Sequence, residues 1–317
     1  MERYSSPIVG VTLARGSALF MAVAIIATSA HAQIYVLDGN TNTVKEYSAS
    51  TGTQITSPFN TISSPNPQAI ALSGNSLYIA DVQTQSVKEY NATTGAQIAL
   101  PNPISSVDPV ALAVSGNSLF VADQGTGTVK EYNATTGALI TSGFTTISSP
   151  EPVTLTLGPN SLYVGDAQNQ TVTEYTTGGT QITNPFTTIT GVIPFALALS
   201  SNATELYVMD TNSNTVEEFN ASTGLQVSGF SISTPDGLSL ADVGNSLYLG
   251  DGSNDDVEEY YASQQGVHAA GSQVAGFSIA EVDPEGLAMV IPEPSCAGLL
   301  LCSAVPLLLL RRRRTAV

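Results

Sequence analysis

Residues 76–95 read SLYIADVQTQSVKEYNATTG, and residues 118–137 repeat them with few changes as SLFVADQGTGTVKEYNATTG. The opening phrase recurs four more times: QIYVLD ending at Asp38, SLYVGD at Asp166, ELYVMD at Asp210 and SLYLGD at Asp251. Consecutive aspartates lie 43, 42, 43, 44 and 41 residues apart. Six residues after each one, a valine opens a Glu-aromatic phrase: VKEY at 44, 87 and 129, VTEY at 172, VEEF at 216 and VEEY at 257. A proline-led apolar run completes the unit: PQAIAL at 67, PVALAV at 109, PVTLTL at 152, PFALAL at 194, PDGLSL at 235 and PEGLAM at 284. Short Val-, Tyr-, Phe- and Leu-rich runs punctuated by Gly, Asn, Ser and Pro are strands joined by tight turns. No stretch between them carries a helical period.

A repeat of about 42 residues with four short strands is the signature of a β-propeller blade. From the axis outward, the P-x-A-L-A-L run is strand a, the L-Y-V-A-D run b and the V-K-E-Y run c. The variable stretch after T-G, for example AQIALPNPI at 96–104, is read as d. There are six copies of a and b, but the body starts on a b strand at Ile34 and ends on an a strand near Met289. The expected fold is therefore all-β, a six-bladed propeller in which strand 284–290 pairs with the N-terminal strands. That pairing leaves no open sheet edge. The blade phrases, with strand b ending in V-A-D, resemble the NHL and YVTN groups of propellers. The resemblance spans residues 33–290 and implies a fold without implying an activity.

Charge narrows the partners. The 317-residue chain carries a formal charge of −17, and six of its nine basic residues are arginines near the ends. Between residues 33 and 292, Lys45, Lys88 and Lys130 face 24 carboxylates, a net charge of −21. Such a body has no basic patch to neutralise phosphates, so nucleic acid is excluded as a partner. It also has no cysteine or tryptophan and a single histidine, His268. Thiolate nucleophiles, disulfides and cysteine-based zinc sites are absent from this segment, and there is little for imidazole chemistry.

Both ends read as addresses. Residues 1–32 have the order of a signal peptide: Arg3 and Arg15, a ten-residue apolar run from Ala18 to Ala27, and the small-x-small triplet Ala30-His31-Ala32. Signal peptidase cleavage after Ala32 would leave Gln33 as the first residue. Residues 291–317 contain Pro292-Glu293-Pro294, a 15-residue apolar stretch from Cys296 to Leu310 read as a hydrophobic helix, and Arg311 to Arg314. A stretch this short is marginal as a membrane span, and the arginines after it would stay on the cytoplasmic side. This order resembles the PEP-CTERM sorting signal of Gram-negative bacteria. The resemblance implies membrane attachment through the tail, processing by an exosortase near Pro-Glu-Pro, and display at the cell surface or release.

The six recurring aspartates, Asp38, Asp81, Asp123, Asp166, Asp210 and Asp251, precede the b–c turns. A carboxylate there accepts backbone N–H groups further along the turn, and its repetition in every blade favours this structural role. A calcium reading competes at one or two blades. Asp38, Asn40 and Asn42, and again Asp210, Asn212 and Asn214, place oxygen ligands at alternate residues, and Asp251 is followed by Asn254, Asp255 and Asp256. The strand c glutamates, Glu46, Glu89, Glu131, Glu174, Glu218 and Glu259, are read as a solvated outer face. Asn91, Asn133, Asn169, Asn202 and Asn220 lie in N-x-S/T sequences and are read as turn formers.

Two functions fit. One is a non-catalytic surface or matrix protein, expected to be monomeric. It would need no cofactor and would present a propeller face to a polysaccharide or surface protein in an exopolysaccharide or biofilm setting, the last implied by the sorting signal. The alternative follows a resemblance to six-bladed calcium-dependent hydrolases of lactones and sugar esters, which hold a metal in the axial channel. Asp108, Glu151, Asp236 and Glu285 adjoin the strand a prolines and could line such a mouth, but their placement looks irregular: the first two precede a proline and the last two follow one.

Overall fold

The computed structural model describes residues 32–263, 268–280 and 283–290. The expected signal segment, apart from Ala32, and the expected sorting tail lie outside these residues. The described chain forms six antiparallel sheets, each ordered a-b-c-d. Blade 1 is composite. Its strand a is Pro284–Val290, paired with strand b, Gln33–Asp38, in the register Gln33↔Val290 to Asp38↔Pro284. Strand a of blades 2 to 6 is Pro67–Ser73, Pro109–Ser115, Pro152–Leu157, Pro194–Leu199 and Gly237–Val243. Each strand a touches its counterparts on both sides, and blade 6 meets blade 1, so the ring closes as expected.

The apolar core is divided among the blade interfaces. Tyr35, Leu37 and Ala288 of blade 1 pack with Ile70, Leu77 and Ile79 of blade 2, and five further clusters repeat this arrangement around the ring. Strand b is covered on both faces, which explains its nearly unbroken apolar sequence. A tyrosine in strand b also crosses each interface but one. Tyr35, Tyr78, Tyr163, Tyr207 and Tyr248 donate to the carbonyls of Ala92, Ala134, Ala221, Ala262 and Ala49 at 2.8–3.2 Å. Blade 3 has Phe120 at this position.

Three expectations change. First, blade 6 starts strand a at Gly237, so Gly237 and not Pro235 occupies the place of the other prolines, opposite Asp251. Second, strand d is broken in most blades. In blade 2 it is Gln97–Ile98 and Ile104–Ser105, both paired with strand c, while blade 5 keeps one strand, Gln226–Ser233. The stretch read as variable carries a recurrent phenylalanine: Phe59, Phe144, Phe186, Phe230 and Phe277 turn inward onto the strand b aromatic of the same blade at centroid distances of 5.2–5.7 Å. Third, the strand c glutamates are not a solvated face. Glu46, Glu89, Glu131 and Glu174 are buried, because each sits directly across from the strand b aromatic. Ser76 and Ser246 donate to Glu89 and Glu259 at 2.6 and 2.5 Å, while burial pushes the Glu46 carboxyl up to about 6.

Candidate functional site at the channel mouth

The b–c turns and the d–a connections share one face of the ring. There the residue after each recurrent aspartate donates its N–H to the carbonyl of the residue before strand a. Val82, Gln124, Ala167, Thr211, Gly252 and Gly39 bond in this way to Asn66, Asp108, Glu151, Ile193, Asp236 and Asp283 at 2.8–3.1 Å. These six acceptors are structurally equivalent. The apparent irregularity of Asp108, Glu151 and Asp236 disappears once Gly237 takes the proline's place. Asp283, not singled out in the sequence, completes a set of four carboxylates around the face. Only Glu285 occupies a different position.

The six recurrent aspartates are buried beneath this face and act within their turns. Asp81 Oδ1 accepts the Thr84 N–H at 2.8 Å, and Asp123 and Asp166 accept Thr126 and Asn169 in the same way at 3.0 and 2.8 Å. Ser106 and Ser149, from the d–a connection, donate their hydroxyls to Asp123 and Asp166 at 2.8 and 2.6 Å, and Ser64 does so to Asp81. Each such aspartate therefore ties a b–c turn to the connection entering its blade. Burial alone would raise the Asp81 and Asp123 carboxyls, but these hydrogen bonds outweigh it and hold both below the ordinary carboxylate range.

The candidate calcium loops have the same turn geometry. Asp38 accepts the Thr41 N–H at 3.1 Å and its hydroxyl at 2.5 Å, with Lys45 Nζ 3.7 Å away. Asp210 accepts the N–H groups of Ile193 and Asn212 at 2.8 and 2.9 Å and the Ser213 hydroxyl at 2.8 Å. Asp251 accepts the N–H of Ser253 at 2.8 Å. Asn40 and Asn212 are exposed. Asn42 and Asn214 have φ of 53° and 55°, as do Gln85, Gln170 and Asp255 within a few degrees at the same turn position, so backbone conformation explains the choice of residue there.

Strand a contains a β-bulge in every blade, one residue after the proline or its equivalent. A proline suits this place because it has no N–H to offer the ladder. The bulged residues are Gln68, Val110, Val153, Phe195, Leu238 and Glu285, and all six line an axial cavity of about 570 Å³ walled mainly by aliphatic strand a side chains, with Thr154, Thr156, Ser239 and Asp242 among them. Phe195 is 45% exposed, and Val107, in the neighbouring d–a connection, is 53% exposed. The Glu151 carboxylate accepts from Gln124 at 3.1 Å. Glu285 lies against Gly39, where any Cβ would collide with its carboxyl group. Among the described residues its buried Oε2 has no hydrogen-bond partner, and burial, then Asp283 and Asp38, push the group up to about 7.

Asp108, Glu151, Asp236 and Glu285 thus share a face but belong to four blades. Among the described residues, no three Asp, Glu, His or Cys side chains converge to hold a metal ion. The Asp236 carboxylate lies over Gly252 as Glu285 lies over Gly39, so these two are packed onto their own turns. Ala32 is described, and its carbonyl accepts the Ala49 N–H at 2.9 Å. Ala30 and the sorting residues Pro292, Glu293 and Pro294 lie outside the described residues.

No protein-family model and no curated protein sequence matches this chain. Solved structures do match in fold. A chain of the nidogen/laminin complex aligns with a TM-score of 0.59 at 13% identity, covering 82% of this chain and 98% of that one. A chain of Kuenenia stuttgartiensis hydrazine synthase aligns with a TM-score of 0.52 at 15% identity, covering 71% and 89%. The chain is a β-propeller similar in fold to both.

Proposed function

We propose that this protein is an exported, non-catalytic binding module that holds a polysaccharide or surface protein at the channel mouth. The observation that carries this reading is the ring of bulged residues. Strand a is otherwise made mostly of aliphatic and small side chains, Asp242 apart, but at this position the side chain differs among amide, aliphatic, aromatic and carboxylate around the rim. β-Bulges at a rim re-aim side chains. An exposed aromatic beside amides and carboxylates offers both an apolar platform and hydrogen-bonding groups for a partner. The similar chain comes from a nidogen/laminin complex, an assembly of proteins, which agrees with a binding role for such a ring. Export and an exosortase-processed tail rest on the resemblances of residues 1–32 and 291–317, and the polysaccharide setting rests on the latter.

The test has two parts. Mass spectrometry of the cell-surface protein is expected to show Gln33 at the N-terminus and no Arg311 to Arg314; an intact arginine block there would refute processing. The purified protein is then screened on a glycan array and by cross-linking on intact cells, with Phe195→Ser as the comparison. Binding that Phe195→Ser weakens at least tenfold supports the reading. Stoichiometric calcium binding with lactone turnover, both lost in Glu151→Gln or Asp108→Asn, would overturn it in favour of a hydrolase.

A further inference from the structure

The repeat provides its own controls, and three departures from it meet in one place on the opposite face. In five blades a Leu, Val or Met late in strand a joins the apolar cluster of the preceding blade's strand b aromatic: Leu72 with Tyr35, Val114 with Tyr78, Leu157 with Phe120, Leu199 with Tyr163 and Met289 with Tyr248. Blade 6 puts Asp242 there, facing Tyr207 of blade 5. Strand b of blades 2, 3, 4 and 6 begins with serine, and in blades 2 and 6 that serine donates to the strand c glutamate. Blade 5 begins instead with Glu205, so Glu218 meets a second carboxylate where a donor would be. The a–b turn of blade 5 is also two residues longer than that of blade 2, with seven positions from Leu199 to Leu206 against five from Leu72 to Leu77.

These changes surround a cavity of about 320 Å³ between blades 5 and 6, lined by Glu205, Glu218, Asp242, Tyr207, Phe230 and Asn245 among others. Its size suits a small ligand. Ser201 in the lengthened turn donates its N–H and its hydroxyl to Asp242 Oδ1, both at 2.8 Å. Among the described residues, nothing donates to the buried Asp242 Oδ2. No Lys, Arg or His among the described residues lines the cavity. Burial, followed by the charge of Glu205, holds the Glu218 carboxyl above its ordinary range; for Asp242, burial and Glu205 outweigh the opposing Ser201 bonds. A carboxylate oxygen buried without a partner, beside two further acids, is costly unless a cation completes the site.

We propose that this cavity binds an organic cation, a primary ammonium or a guanidinium group, through Glu205, Glu218 and Asp242. A bare metal ion suits the site poorly, because the three carboxylates do not converge at metal-ligand spacing. Calcium takes its oxygens at about 2.3–2.6 Å. An N–H donor reaches its acceptors at about 2.7–2.9 Å and directs each hydrogen to a separate carboxylate. Tyr207 and Phe230, 5.2 Å apart, wall the same space and favour a cation with an organic stem.

Titration calorimetry on the full chain tests this with two probes: 1,4-diaminobutane, and acetyl-Gly-Lys-Gly-amide as a basic side chain. Tetramethylammonium, which lacks an N–H, and calcium serve as comparisons. One saturable site is expected for at least one probe, weakened at least tenfold in Asp242→Leu and in Glu205→Ser and unchanged in Glu131→Gln, at the equivalent strand c glutamate of blade 3. The first two variants install residues of the kind other blades carry there, and a retained melting transition shows that they fold. Binding of the diamine alone identifies a free amine as the ligand; binding of the peptide identifies a partner's basic side chain. Absence of saturable binding by both probes, undiminished binding in Asp242→Leu, or displacement of the probe by calcium or tetramethylammonium would overturn the proposal.

Discussion

Replacing Tyr163 with phenylalanine removes one oxygen and tests how the ring is held together. The Tyr163 hydroxyl donates to the Ala221 carbonyl of the next blade at 2.8 Å, and Ala221 is buried. The ring itself stays packed edge-on against Phe186, so the change deletes the hydrogen bond without opening a large cavity. A net hydrogen bond contributes about 1 kcal/mol, and a carbonyl left buried without a donor costs about 1–3 kcal/mol. The expected destabilisation is therefore about 2 kcal/mol, or about 4–8 °C in Tm for a domain of this size. The molecule contains the matching control. In blade 3 Phe120 stands in the donor's place, and Thr177, in the acceptor position of the following blade, is exposed while Ala49, Ala92, Ala134, Ala221 and Ala262 are all buried. Water can satisfy the Thr177 carbonyl, so Phe120→Tyr is expected to change stability by less than about 0.5 kcal/mol. Denaturant unfolding of both variants decides the matter. Equal effects in the two, or a Tyr163→Phe loss below about 0.5 kcal/mol, would refute the claim that these hydroxyls lock blade to blade.

Three further outcomes are expected. Asp123→Ala removes the acceptor of Ser106, Val107 and Thr126 and should cost about 3 kcal/mol in equilibrium unfolding, since hydrogen bonds to a charged group contribute more than neutral ones. Stability should also fall as pH rises from 5 to 8: the raised carboxyls of Glu46, at about 6, and Glu285, at about 7, keep protons that the unfolded chain gives up from about pH 4.5, so their contribution is complete below that pH and lost through their folded values. Glu285→Gln should recover about 1 kcal/mol at pH 8 after allowing for solvent screening, and a melting series showing no gain would contradict the burial of that carboxyl.

Much of this molecule was legible because a repeat amplifies weak signals. One SLYIAD phrase is an ambiguous apolar run; six of them at even spacing fix strand, blade and closure, down to Pro284–Val290 pairing with Gln33–Asp38. The turn role of the aspartates could be read for the same reason. The unread parts depend on what lies across a strand or an interface. Alternation along V-K-E-Y suggests that the glutamate faces water, but in blade 1 the cross-strand neighbour of Glu46 is buried Tyr35, and the outer segment folds Phe59 over that tyrosine. The phenylalanine itself was detectable as the recurrent G-F or P-F in residues 58–59, 143–144, 185–186, 229–230 and 276–277, hidden by reading the stretch as variable.

The same logic ranks the two candidate sites. At the channel mouth the repeat itself places one variable residue per blade, so diversity at Gln68, Val110, Val153, Phe195, Leu238 and Glu285 is what the scaffold permits on a partly exposed rim. Between blades 5 and 6 the scaffold calls for an aliphatic at 242 and a serine at 205, and both have become acids facing a third. An exposed rim residue can change at little cost, whereas an acid placed against a buried tyrosine is destabilising unless something compensates. If Asp242→Leu stabilises the fold and abolishes cation binding together, the site has been kept against its own cost to stability, as functional sites are.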